Sequence, residues 1–207
     1  RVFYFFFIVL VAKTSLLQAQ KPNILWIYAE DTSPWMGCYG DKINANATPN
    51  IDSIAAAGVR FDRAYVPAPV CSATRSALIV GQSAIRFGAH QHRSSRTQET
   101  RLFIPQDYKL LPEILIENGY TTFNHGKADY NFIWDMTKTY NYKLKKRTDF
   151  SELVHKQPFF GQIQLRGGKN NTDYLKESVR VDPNKVSVPT DYPDNEIFRK
   201  IVAQHYD

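Results

Sequence analysis

The sequence has little cysteine, no long apolar run and no block of one charge sign. Two cysteines in 207 residues exclude a disulfide framework of the kind that staples small secreted scaffolds. Cys38 and Cys71 stand in unlike local patterns, so a bridge between them would be a lone cross-link. The one extended apolar run, Val2 to Ala12, falls short of the roughly 20 residues needed to cross a bilayer, and no stable membrane span is expected. Lysine and arginine number 26 against 20 acidic residues, a net charge of +6, but the basic residues are dispersed. The aromatics follow no RNA-binding signature, so nucleic acid is excluded as a partner, and the basic balance suits small anions or an acidic polysaccharide. What remains, 43% hydrophobic and 22% charged residues, is ordinary globular composition and excludes disordered and fibrous classes.

Arg1 ahead of the apolar run, followed by Leu16, Leu17, Gln18 and Ala19, gives the basic, apolar and small-residue succession of a secretory signal over residues 1–19. The expected location is secreted or periplasmic, or membrane-anchored where the segment is not cleaved. The chain opens without methionine, and Ile201 to Asp207 has helical apolar spacing with no stop signal. Both ends therefore predict a piece of a longer protein, with residues 20–207 the N-terminal part of one domain.

Along the chain, Asn23 to Ala29 is a short continuous apolar run, the pattern of a strand buried on both faces of a parallel sheet. It ends in Glu30-Asp31, carboxylates placed where open α/β sheets bind ligands. Thr48 as N-cap, Pro49 in the first turn and an apolar face of Ile51, Ile54 and Ala55 predict a helix stopped by Gly58. Val59 to Tyr65 is a strand candidate, and Ser72 to Val80 a helix whose N-terminus lies at Cys71. Leu110 to Asn118 predicts a helix ended by Gly119, then a strand from Tyr120 to Asn124. Tyr130 to Leu153 lacks a clear period and reads as a surface excursion, Pro158 to Leu165 resumes a buried strand, and Arg166 to Pro193 reads as loop. Helices alternating with short apolar strands point to a mostly parallel α/β sheet sandwiched by helices.

The chemistry lies in Cys71-Ser72-Ala73-Thr74-Arg75 and the helix that follows to Gly81. By itself the segment is also compatible with an amphipathic helix carrying a buried cysteine. It resembles, however, the signature of type I sulfatases, in which a cysteine two before Pro or Ala and four before Arg precedes a helix ending in glycine. Other stretches follow that family's order: Lys21-Pro22-Asn23 into Glu30-Asp31, Gly37-Cys38-Tyr39-Gly40, Thr48-Pro49-Asn50-Ile51-Asp52, Gly58-Val59-Arg60-Phe61, Ala64-Tyr65 and Gly119 to Lys127. The resemblance implies an alkaline-phosphatase-like fold and a sulfuric ester hydrolase.

It further implies that Cys71 is oxidised to formylglycine by a maturation enzyme, and that Cys71, Arg75 and Lys127 are catalytic. A helix N-terminus suits a sulfate group through its unpaired N–H groups and dipole. Arg75, one turn on, offers a planar fork of donors, and Lys127 a point charge. Glu30, Asp31 and the modified Cys71 are implied ligands of a calcium ion, which takes oxygen donors. Glu30 departs from the family's usual aspartate, and the metal's other family ligands do not occur in this sequence. Many members carry a histidine where Asp129 stands, so Asp129 is expected to orient Lys127 or to bind a substrate hydroxyl. His90, His92 and Arg93, in a histidine-rich loop too sparse for a zinc site, are candidate substrate contacts. Lys169 stands near the place of another missing family histidine and is a candidate sulfate ligand or leaving-group acid. The expected substrate is a sulfated carbohydrate; the alternatives are a phosphate or phosphonate ester hydrolase of the same superfamily and a non-catalytic sulfoglycan-binding protein. If Cys71 is the modified residue, a Cys38–Cys71 bridge is impossible.

Overall fold

The structure is a computed structural model and describes residues 20–206 other than 31, 33, 44–46, 96, 146–148, 166–174, 176 and 178. The 1–19 segment, Asp31 and Lys169 therefore lie outside the described residues. Three parallel strands, β1 (Ile24–Ala29), β2 (Thr121–His125) and β3 (Phe159–Leu165), form a sheet in the order β1-β3-β2. Phe160 of the central strand pairs with Ile24 on one side and Thr122 on the other. Parallel pairing brings all three C-terminal ends to one edge, the edge at which such sheets place ligands.

The helices are α1 (Pro49–Ala57), α2 (Cys71–Val80), α3 (Leu111–Glu117), the single turn α4 (Met136–Thr139) and α5 (Glu196–Tyr206). Ala77 and Ile79 of α2 sink into a core with Phe87, Ala89, Leu110 and Phe132. Gly81 ends α2 in the left-handed conformation, φ 70°, and its N–H donates to the Ala77 carbonyl at 2.9 Å; a residue with Cβ would resist that backbone. A second, smaller core joins Val202 and Ala203 of α5 to Val186 and Trp35.

The predicted strands and helices form within a residue or two of their expected bounds, with four differences. β1 alternates instead of being buried on both faces: Leu25 and Ile27 remain 46% and 54% exposed, and the 151–156 turn, with Leu153 and Val154 beside Leu25, leaves an open apolar crevice on that side. Val59 to Tyr65 is irregular, since no described strand offers its backbone a partner; Arg60 bonds instead to the Cys38 carbonyl and to Asp62. Thr48 stands at the N-cap of α1, but its hydroxyl meets Asp52 and the Gly37 N–H, and the apolar face of the helix leaves Ile54 68% exposed. The 130–153 stretch is a surface excursion only in part: Asp135 to Lys138 and Asp149 to Ser151 are exposed, but other residues turn inward. Asn131, Phe132, Thr139, Tyr140 and Leu153 are buried, because aromatic rings and backbone-directed polar groups need no helical or strand period to pack.

Candidate active site

Glu30 follows β1 directly, and Lys127 and Asp129 follow β2 through the turn at Gly126. Cys71 opens α2 at the same edge. The N-cap residue of that helix, Val70, is extended and no side chain caps it, so the first N–H groups are left for an anion. At the centre stands the Lys127 ammonium. Its Nζ donates to Glu30 Oε1 at 2.6 Å and to Cys71 Sγ at 3.3 Å, and lies 3.1 Å from Asp129 Oδ2. The Cys71 thiol in turn donates to Asp129 Oδ2 at 3.5 Å.

These groups perturb one another in predictable senses. The hydrogen bond from Lys127 holds the Glu30 carboxyl below its ordinary value, with burial working the other way. Burial opposes the charge on Lys127, but its bonds to Glu30, Asp129 and Cys71 outweigh that and keep the ammonium protonated beyond its usual range. Asp129 adopts a left-handed backbone, φ 53°, and its side chain is only 6% exposed. A non-glycine residue held there is costly, and such residues concentrate at functional sites.

A layer of supports lies below. Arg75 is 7% exposed; its Nη1 donates to the Lys127 carbonyl at 3.0 Å, and its guanidinium lies 4.9 Å from the centre of the Tyr28 ring. Burial, then the nearby Tyr130, raises the Tyr28 phenol well above its ordinary value against the pull of Arg75, so it remains neutral beneath the guanidinium. Ser72 Oγ meets His92 Nδ1 at 3.0 Å and accepts the Arg93 N–H at 3.3 Å. Asn131 donates from Nδ2 to the carbonyls of Ala89 and Gln91, at 2.9 and 2.6 Å.

Of the residues singled out from sequence, the fold brings together Cys71, Lys127, Asp129 and Glu30. Arg75 supports Lys127 from below, and His92 is tied to the residue after Cys71. His90 is exposed, and no hydrogen bond among the described residues joins it to the cluster. Both cysteines are free thiols, so the cross-link is not formed. Cys38 instead lines a separate crevice of about 530 Å³ with Asp52 and Arg60. The sequence reading missed Tyr28, Ser72 and Asn131. Tyr28 was visible only as one apolar position of a strand, and Ser72 as the variable position of a motif.

Among the described residues no three acidic, histidine or cysteine side chains are grouped to hold a metal ion. Of the implied calcium ligands, Glu30 and Cys71 meet at the Lys127 ammonium and Asp31 lies outside the described residues; a carboxylate and the oxygen that a formylglycine would carry are the donors a hard cation takes.

Comparison with known proteins gives one consistent answer. A family model described as Sulfatase matches residues 22–205. Arylsulfatase A of Homo sapiens is 34% identical over 121 residues, which is 58% of this chain and 23% of that protein. An ulvan-active sulfatase of Formosa agariphila is 30% identical over 158 residues, 71% of this chain and 25% of that protein. A solved structure described as a 2-O GAG sulfatase superposes with a TM-score of 0.56 at 19% identity, over 90% of this chain and 53% of that one. At that identity the likeness bears on the fold, which is the expected parallel sheet with helices. The chain thus spans about a quarter of these curated relatives and about half of the solved one.

Proposed function

Since the chain belongs to the sulfatase family, we propose that its protein is a sulfuric ester hydrolase acting on a sulfated carbohydrate, with Cys71 matured to formylglycine. The observation that carries the proposal is the placement of Cys71 at an uncapped helix N-terminus, with Lys127 Nζ at 3.3 Å and Asp129 Oδ2 at 3.5 Å from its Sγ. The carbohydrate substrate rests on the likeness to an ulvan-active sulfatase and on the net charge of +6. The secretory pattern of residues 1–19 supports export to the cell exterior or periplasm. No described helix is long and apolar enough to cross a membrane.

Formylglycine, once formed and hydrated, would supply a geminal hydroxyl that attacks sulfur as the ester S–O bond breaks and the alcohol leaves with a proton; the second hydroxyl would then give up its proton as the C–O bond to sulfate breaks and the aldehyde returns. A calcium ion held by Glu30, Asp31 and the modified residue 71 would polarise the sulfate oxygens. The chain's own groups do the rest. Lys127 holds a non-bridging sulfate oxygen at the point where its ammonium now meets Sγ, and the N–H groups opening α2 face the same anion. Asp129 Oδ2, which accepts from the side chain at position 71, is placed to take the proton of the attacking hydroxyl. Arg75 fixes the Lys127 backbone, and hence the ammonium, from the dry side of the site. His92 and Lys169 are the proposed contacts to the alcohol portion of the substrate, with His90 more loosely placed at the rim.

The test is peptide mass spectrometry of the protein expressed beside a formylglycine-generating enzyme. Conversion of the Cys71 peptide, a loss of about 18 Da as thiol becomes aldehyde, together with sulfate release that Cys71→Ala abolishes, is the expected result. An unmodified thiol in a host that matures other sulfatases would overturn the proposal in favour of a binding protein.

A further inference from the structure

Asn131 lies four residues beyond Lys127 and is 2% exposed. Its backbone N–H donates to Ser76 Oγ at 2.8 Å, and that hydroxyl donates to the Ser72 carbonyl at 2.7 Å, one turn back along α2. Its side chain reaches the other way, spending both Nδ2 donors on the carbonyls of Ala89 and Gln91. The loop so held continues into His92 and Arg93, which return to Ser72 Oγ. The bonds close a ring: Asn131 to the 89–91 backbone, on to His92 and Arg93, to Ser72, to Ser76 and back to Asn131. Three chain segments that share no secondary-structure hydrogen bonds are joined by it, namely the start of α2, the stretch after Lys127 and the histidine-rich loop.

Arg93 shows that the loop is held in a costly shape. Its φ of 55° is left-handed, and a non-glycine residue stays there only where its surroundings over-determine it. Each partner of the ring is a candidate for that constraint; the side chains of Asn131 and Ser76 touch neither the nucleophile nor a proposed substrate contact, and of the two only Asn131 bonds the 89–91 backbone directly. Its backbone bond to Ser76 is independent of the side chain in any residue but proline, so removing the side chain cuts the ring at the loop alone and leaves α2 anchored.

We infer that Asn131 is a positioning residue that fixes the 89–93 loop, so that His92 and Arg93 form the wall against which the non-sulfate portion of the substrate binds. This rests on the sulfatase reading of the site. Asn131→Ser leaves at most one, shorter donor for the Ala89 and Gln91 carbonyls, and Asn131→Asp sets acceptors against them; the Ala89 carbonyl is buried, and a buried carbonyl without a donor is expensive. The loop then samples other shapes, and substrate must select the competent one.

The experiment measures kcat and KM of the matured full-length protein on p-nitrophenyl sulfate, and amide hydrogen exchange, for wild type, Asn131→Ser and Asn131→Asp. The expected result is a KM raised roughly tenfold, the scale of two lost neutral hydrogen bonds, with kcat within about twofold of wild type. Exchange should quicken at residues 89–93 and stay slow through α2. A purely structural residue would give the opposite split, since a smaller folded fraction lowers apparent kcat and leaves KM unchanged. That split, or unchanged exchange in the loop, overturns the inference. If wild type releases no sulfate from any ester, the sulfatase reading fails; the positioning role is then decided by the exchange data alone, with a local effect supporting it and a global or null effect refuting it.

Discussion

Replacing Lys127 by methionine removes the cation on which the cluster is built and keeps most of its stem. Glu30 Oε1 at 2.6 Å and Asp129 Oδ2 at 3.1 Å then lose their shared partner, and two carboxylates are left facing one another. Exposed ion pairs contribute about 0–1 kcal/mol and breaking a fully buried one costs about 3–5 kcal/mol. With side chains 32%, 20% and 6% exposed for Lys127, Glu30 and Asp129, the cluster lies between these limits. A loss of about 2 kcal/mol at neutral pH follows, equivalent to a fall in Tm of about 4–8 °C for a domain of this size. The pH dependence has a definite sign. The Glu30 pKa is lower in the folded protein than its ordinary 4.5, so its contribution is complete above that value and fades as pH falls through the folded one. The Lys127 pKa is raised above 10.5, so its share is complete below that pH and is lost only in stronger alkali. Thermal melts in EDTA at pH 7 and at about pH 3.5 should therefore show the full penalty in the first case and a clearly smaller one in the second. Equal penalties at both pH values, or none at pH 7, would refute the electrostatic account of the cluster.

Other perturbations probe separate parts of the argument. Arg75→Lys keeps the charge but loses the planar fork that reaches the Lys127 carbonyl over the Tyr28 ring; kcat/KM on p-nitrophenyl sulfate should fall roughly 10- to 100-fold, with a far smaller change in Tm. Gly161→Ala drives a methyl group into the Phe123 ring on the neighbouring strand. Overpacking there should cost roughly 3 kcal/mol, read by urea denaturation, and a neutral result would show that Phe123 yields freely. The His205 pKa is lowered from 6.5 by burial beside Trp35 and Tyr206. Stability is therefore complete above that pH and is lost as pH falls through 6.5 towards the folded value, so His205→Phe should flatten the pH dependence of Tm between about pH 5 and 7.

What could be read from the sequence, and what could not, divides along a physical line. β1, α1, α2, α3, β2 and β3 were legible because apolar period, Pro49, and the glycines after α1, α2 and α3 are local signals. Cys71, Lys127 and the acidic end of β1 were legible as a motif, and parallel pairing explains why three stretches so far apart in sequence converge on one edge. Val59 to Tyr65 carries the β-prone composition of a strand, but composition does not supply the neighbour that a strand requires. The exposed Leu25 and Ile27 make the same point for burial: apolar residues announce that they favour a partner and say nothing of whether one is in place.

The support beneath the site was hidden for a different reason. Asn131 and Ser72 act largely on backbone groups: the carbonyls of Ala89 and Gln91, and the N–H of Arg93. Every residue but proline carries both such groups, so the backbone side of these bonds leaves no trace in the sequence, and the side-chain partner appears only as an ordinary polar residue. Charged contacts such as Lys127 with Glu30 name both partners by residue type and can be guessed from a motif. Side-chain-to-backbone contacts name one. The meeting of Lys127 with Glu30 beside Cys71, the proposed catalytic cluster, was therefore open to a guess from the sequence, whereas the ring through Asn131 becomes visible only once the chain is folded.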